Sequence, residues 1–168
     1  PPPTDMETPP PLEPGSTVAV CRPATVPVAG GYPDHLTELG FDRLRSFDLD
    51  PVALDSLTAD KQELYDHPQR RARELEEAFR DPDIDGIVAA IGGDDQIRIL
   101  KHLDPRVIAE NPTRFYGTSD NTSFAAFCRA HGVVSFYGGT LFTDVCEPGG
   151  INDYTREYLE RAFFDESL

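Results

Sequence analysis

The stretch Ile84-Asp85-Gly86-Ile87-Val88-Ala89-Ala90-Ile91, closed by Gly92-Gly93, constrains this chain more than any other feature. It is far too short to cross a membrane as a helix, and Asp81-Pro82-Asp83 and the two glycines bracket it, so it reads as a strand. Its nearly continuous apolar character means that both faces are covered. That is the condition of an inner strand in a parallel sheet with helices above and below.

The flanking segments fit such a sheet. Thr17-Val18-Ala19-Val20-Cys21 is a β-rich run, followed by a Pro- and Gly-containing loop from Arg22 to Pro33. A helix starts at Pro33-Asp34, with Gly40 expected to interrupt or end it. One short strand is expected within Phe47 to Ala53. Ala72, Leu75, Ala78 and Phe79 share one face of a helix from about His67 to Arg80, with Arg and Glu opposite. Gly92-Gly93 leads into a helix expected from about Asp95 to Leu103, and a short one covers Pro105 to Glu110. Thr113 to Gly117 is the next strand, Asn121 to His131 a helix, and Val133 to Tyr137 a strand. A loop runs from Gly138 to about Ile151, and Asp153 to Phe164 is an amphipathic helix. Strands alternating with helices predict a doubly wound, mostly parallel α/β sheet over residues 16–168. Residues 1–15 hold seven prolines and read as a disordered or extended leader.

Composition excludes several functions. Thirty acidic residues face fifteen Lys and Arg, giving a formal net charge of −15. Such a chain repels nucleic acid and anionic membranes. Thirteen of the fifteen basic residues are Arg, and Asp outnumbers Glu by 18 to 12, a balance that suggests a halophilic source. Cys21, Cys128 and Cys146 are widely spaced, arguing for buried free thiols rather than disulfides or a zinc site. No metal or cofactor is expected. The proline-rich start lacks the features of a secretory signal, so the expected location is cytoplasmic.

In doubly wound sheets, ligands sit outside the carboxyl ends of the strands. Two turns occupy that edge: Gly92-Gly93-Asp94-Asp95 and Gly117-Thr118-Ser119-Asp120. Ser119 lies between a strand and a helix, the setting of a nucleophile elbow, where the next backbone N–H (Asp120) can face a developing oxyanion. The same Ser-Asp-Asn-Thr run also reads as an ordinary helix N-cap. Gly92-Gly93 lets the backbone approach a ligand and leaves N–H groups for an anion, or is a plain strand-to-helix turn. Diacylglycerol and NAD kinases use a Gly-Gly-Asp-Gly turn for phosphates, but Asp95 stands here in place of its last glycine. The four histidines (His35, His67, His102, His131) sit near helix ends, and none offers an obvious base for Ser119.

Several stretches together, in this order and spacing, resemble the N-terminal domain of the S66 serine peptidases. They are Pro11 to Val20, Asp81 to Ile87, Ile91-Gly92-Gly93-Asp94-Asp95, Arg98-Ile99-Leu100, Leu103-Asp104, Asn111-Pro112, Tyr116-Gly117-Thr118-Ser119-Asp120 and Phe136-Tyr137-Gly138. That family holds LD-carboxypeptidases (muramoyltetrapeptide carboxypeptidases) and microcin C immunity peptidases. The resemblance implies a flavodoxin-like or class I amidotransferase-like domain with Ser119 as nucleophile. It implies the backbone N–H groups of Gly93 and Asp120 as oxyanion hole, with Gly92 and Asp94 at the substrate. The family's Glu and His come from a C-terminal domain, which is not in these residues, so this chain alone is expected to fold but hydrolyse little. A peptide or peptidyl-nucleotide substrate, that C-terminal domain and a homodimer mate are the expected partners. The Gly-Gly turn lacks the preceding Arg and following Tyr of many LD-carboxypeptidases and looks closer to the microcin-immunity branch. A binding or regulatory module that keeps the fold without catalysis is the alternative.

Overall fold

The computed structural model describes residues 5–25 and 33–166, so residues 26–32 of the first loop and residues 1–4 of the leader lie outside the described residues. The strands are β1 (Thr17–Cys21), β2 (Asp50–Ala53), β3 (Gly86–Ala89), β4 (Arg114–Gly117) and β5 (Phe136–Tyr137). All pair in parallel, in the order β2-β1-β3-β4-β5. That is the flavodoxin-like order, whose topological switch point falls between β1 and β3. The helices are α1 (Asp34–Arg45), α2 (Asp55–Thr58), α3 (Lys61–Asp66), α4 (Pro68–Arg80), α5 (Pro105–Glu110), α6 (Thr122–Ala130) and α7 (Asp153–Phe164).

The period of two along each strand divides the apolar residues between two layers. Val18, Val20, Val88, Ala90, Tyr116 and Phe136 meet Leu44 of α1, Leu159 and Phe163 of α7, and Leu141 and Val145. Ala19, Cys21, Ile87, Ala89 and Phe115 meet Leu75 and Phe79 of α4, Ile108 of α5 and Phe124 and Cys128 of α6. Burial of each large side chain contributes about 1.5–3 kcal/mol. The inner strand β3 is buried throughout, as its composition requires. The three cysteines are free and buried, and burial pushes their thiols up, Cys128 to about 12.

Four elements differ from the sequence expectation. α1 continues through Gly40 to Arg45. A Cβ at Gly40 would stand 2.6 Å from Leu141 Cδ1, so glycine there serves packing rather than helix termination. The expected helix after Gly92-Gly93 is two 3₁₀ turns, Gln96–Arg98 and Leu100–His102. β5 is only two residues long, because Val133 and Val134 turn to pair with Glu7 instead. The expected loop after Gly139 contains a π-helical turn, Leu141–Val145, closed by the Cys146 N–H on the Leu141 carbonyl at 2.8 Å.

The proline-rich segment is tied down over residues 7–12. Glu7 bridges to Val133, and Leu12 is buried against the first layer. The guanidinium of Arg114, itself buried, donates to the carbonyls of Pro9 and Pro10 and to those of Ala162, Phe163 and Asp165. Among the described residues no helix is long and apolar enough to cross a membrane.

Candidate active site

Strand β4 ends at Gly117, and the chain turns at Ser119 into a 3₁₀ turn, Ser119–Asn121, that opens α6. Ser119 has φ +59°, in the left-handed region that an L side chain adopts at a cost of about 1–2 kcal/mol. It is exposed. A strained, exposed serine between a strand and a helix is the geometry of a nucleophile elbow rather than of an ordinary N-cap, whose backbone is extended. The Ser119 N–H donates to the Tyr137 hydroxyl at 3.2 Å. The Asp120 N–H is in the first turn of the helical segment, where backbone donors have no intrahelical acceptor.

The Gly92-Gly93 turn lies directly against this elbow. A Cβ on Gly92 would come within 2.8 Å of Ser119 Cβ and 3.1 Å of its Oγ, so only glycine leaves room for the hydroxyl. A Cβ on Gly93 would stand 2.4 Å from the Thr25 carbonyl oxygen. The loop after β1 is therefore pressed against the turn after β3, at the switch point of the sheet. Among the described residues the Gly93 N–H meets no acceptor. Asp94 is exposed, and its N–H donates to the Thr25 carbonyl at 3.2 Å.

Asp95 fastens the loop to the turn. Its carboxylate accepts the Thr25 N–H at 2.9 Å and a bidentate pair from Arg71 at 3.1 and 2.7 Å. Arg71, buried on α4, also donates to the Pro23 carbonyl at 2.9 Å. Burial alone pushes the Asp95 carboxyl up, but the hydrogen bonds from Arg71 and Thr25 outweigh it and hold the group below its ordinary range.

Thus Ser119, Asp120, Gly92, Gly93 and Asp94 gather at one edge. The histidines do not join them. His67 and His131 turn Nδ1 toward carbonyls of their own helices, of Glu63 and Phe127, and His131 closes the far end of α6. His35 and His102 are exposed. Among the described residues no group of three or more His, Cys, Asp or Glu is placed to hold a metal ion. Arg71, Gln96, Asn121 and Tyr137 at the site escape sequence reasoning. Arg71 on the apolar face of an amphipathic helix is the one signal that could have been read, since a buried arginine needs a partner.

A model of the LD-carboxypeptidase N-terminal domain of the S66 peptidases matches residues 18–138. The chain belongs to the S66 peptidase family. A putative carboxypeptidase of Streptomyces coelicolor is 34% identical over 133 residues, which are 76% of this chain and 41% of that protein. A probable murein peptide carboxypeptidase of Bacillus subtilis is 32% identical over 136 residues, 80% of this chain and 41% of that one. Among solved structures, an MccF-like protein of Streptococcus pneumoniae in complex with AMP superposes with TM-score 0.79 at 29% identity, over 89% of this chain and 45% of its own. The chain thus spans less than half the length of these S66 relatives.

Proposed function

We propose that this chain is the nucleophile-bearing half of an S66 serine carboxypeptidase or amidase, acting on an amide near the C-terminus of a peptide or peptidyl-nucleotide. The single observation that carries the reading is Ser119 at φ +59°, exposed, with Gly92 leaving room for its hydroxyl. Ser119 Oγ attacks the carbonyl carbon while its proton passes to a histidine oriented by a glutamate, both outside these 168 residues. The N–H groups of Gly93 and Asp120 receive the oxyanion, each contributing about 3–4 kcal/mol to the transition state. Collapse of the tetrahedral intermediate breaks the amide bond, and the histidine returns the proton to the leaving amine. Water, deprotonated by the same histidine, then releases the acyl group from Ser119. The substrate class follows the relatives: the probable murein peptide carboxypeptidase for the peptide, and for the nucleotide the MccF-like protein in complex with AMP, with microcin C7 self-immunity protein MccF of Escherichia coli 37% identical over 90 residues, 53% of this chain and 26% of that protein.

The test is hydrolysis of LD-linked peptides and aminoacyl-sulfamoyl nucleosides by this chain alone and by a protein that joins it to a C-terminal S66 domain. The joined protein should hydrolyse one class, and Ser119→Ala should lower its rate on the order of 10⁶-fold. Robust turnover by the chain alone, or by the Ser119→Ala protein, overturns the reading.

A further inference from the structure

We propose that Gln96 and Asn121 form an interlock that sets the two oxyanion donors at a fixed separation, making Gln96 a positioning residue; the inference rests on the reading of Ser119 given above. Both side chains are fully buried. Asn121 joins the 3₁₀ turn to α6 with a helical backbone, φ −59° and ψ −11°, and its side chain accepts no N–H of its own helix. Its Oδ1 accepts from Gln96 Nε2 at 2.7 Å, and its Nδ2 donates to the carbonyls of Ile91 and Thr118, both at 3.0 Å. Gln96 reaches the first turn of α6 from across the site, its Oε1 accepting the Phe124 N–H at 2.8 Å. The Gln96 backbone N–H donates to the Asp120 carboxylate at 2.7 Å.

These bonds clamp each turn on both sides. Ile91 directly precedes Gly92-Gly93, and Gln96 follows Asp95. Thr118 directly precedes Ser119, and Phe124 lies in the first turn of the helix after it. Two neutral amides do this without burying a charge, and each buried amide is used on both its oxygen and its nitrogen, so the link is rigid at low cost. The backbone of Gly93 and that of Asp120 cannot shift independently while the interlock holds. Catalytic hydrogen-bond donors act through such fixed geometry.

The experiment uses ¹⁵N-labelled protein of 168 residues and the variants Gln96→Glu and Gln96→Leu. Gln96→Glu keeps an acceptor for the Phe124 N–H and loses the donor to Asn121; Gln96→Leu loses both. In either variant the amides of Gly93 and Asp120 should shift and lose order in heteronuclear relaxation, while those of Val20 and Val88 stay in place. The Phe124 amide should exchange roughly tenfold faster in Gln96→Leu and stay protected in Gln96→Glu. Unchanged shifts and order at Gly93 and Asp120 overturn the proposal, and Gln96→Glu decides it if Gln96→Leu does not fold. This readout needs no turnover. If Ser119→Ala spares hydrolysis, the catalytic reading falls while the interlock stands. In the joined, hydrolysing protein Gln96→Glu should lower kcat and leave KM within about twofold, and a change confined to KM refutes positioning.

Discussion

At Ser119 the backbone and the chemistry pull in opposite directions. A Cβ at φ +59° crowds the following carbonyl, whereas glycine tolerates that conformation freely. Ser119→Gly and Ser119→Ala both remove the hydroxyl, so their difference sets the left-handed strain against glycine's greater loss of chain entropy. The glycine variant should be the more stable by about 1 kcal/mol in urea unfolding, although glycine elsewhere in a helical segment is the poorer residue. An alanine variant more stable than the glycine variant by about 1 kcal/mol, the ordinary helical preference, would mean that the turn carries no strain. Asp95 makes a second residue-scale case. Its folded-state carboxyl lies below the ordinary range, so its ion pair with Arg71 stabilises the fold fully above that range. The contribution fades as pH falls from about 4 through the lower folded value. Asp95→Asn leaves the Arg71 guanidinium buried without its charge partner and should cost about 3–5 kcal/mol at neutral pH. Chemical unfolding of both proteins along a pH series should show that gap closing in acid. A constant gap down to pH ~2 would count against the linkage.

At the scale of elements, what the sequence revealed and what it concealed divide along a physical line. Strand β1, helices α4 and α7 and the paired turns of the site follow from local pattern: β-branched runs, an apolar stripe at helical spacing, glycines at strand ends. Gly40, the 3₁₀ turns and the π-helical turn were decided by contacts between distant residues. Gly40 lies under Leu141 and Cys146, more than a hundred positions away. The interlock was equally silent, because Gln96 and Asn121 look like surface amides until the fold buries them. The 3₁₀ path after Asp95 is what brings Gln96 to face Asn121, so the missed element and the missed residue share one cause. Gly40→Ala tests this line. In an isolated helix the change is worth about 1 kcal/mol in favour of alanine. Here the new methyl meets the fully buried Leu141, and overpacking of this kind costs about 1–3 kcal/mol. Thermal unfolding should therefore show a lower Tm for Gly40→Ala. In a Leu141→Ala background, where space opens, the same substitution should raise it.

For the whole molecule, two facts stand against each other: a backbone closed on itself and a surface that repels itself. Arg114 draws carbonyls from the proline-rich segment and from the end of α7 onto one guanidinium beside Phe136, binding the two ends of the fold. Over the whole chain thirty carboxylates stand against fifteen Lys and Arg, and Arg71 and Arg114 among those are buried, so the surplus of negative charge lies at the surface. Exposed pairs such as Arg45 with Asp42 and Arg106 with Asp104 add little to stability, and salt screens them. Salt screens the surplus repulsion as well, and with a net charge of −15 the surplus is the larger effect. The buried Arg71–Asp95 pair is shielded from salt by the protein itself. Raising sodium chloride from about 0.01 to about 1 M shortens the screening length from roughly 30 to 3 Å. Over that range Tm should climb steadily, with most of the gain below about 0.3 M if screening is the cause. A Tm that falls with salt would mean that surface ion pairs outweigh the repulsion. A gain confined to molar salt would instead point to exclusion of salt from the protein surface, the other route by which an acidic chain is stabilised.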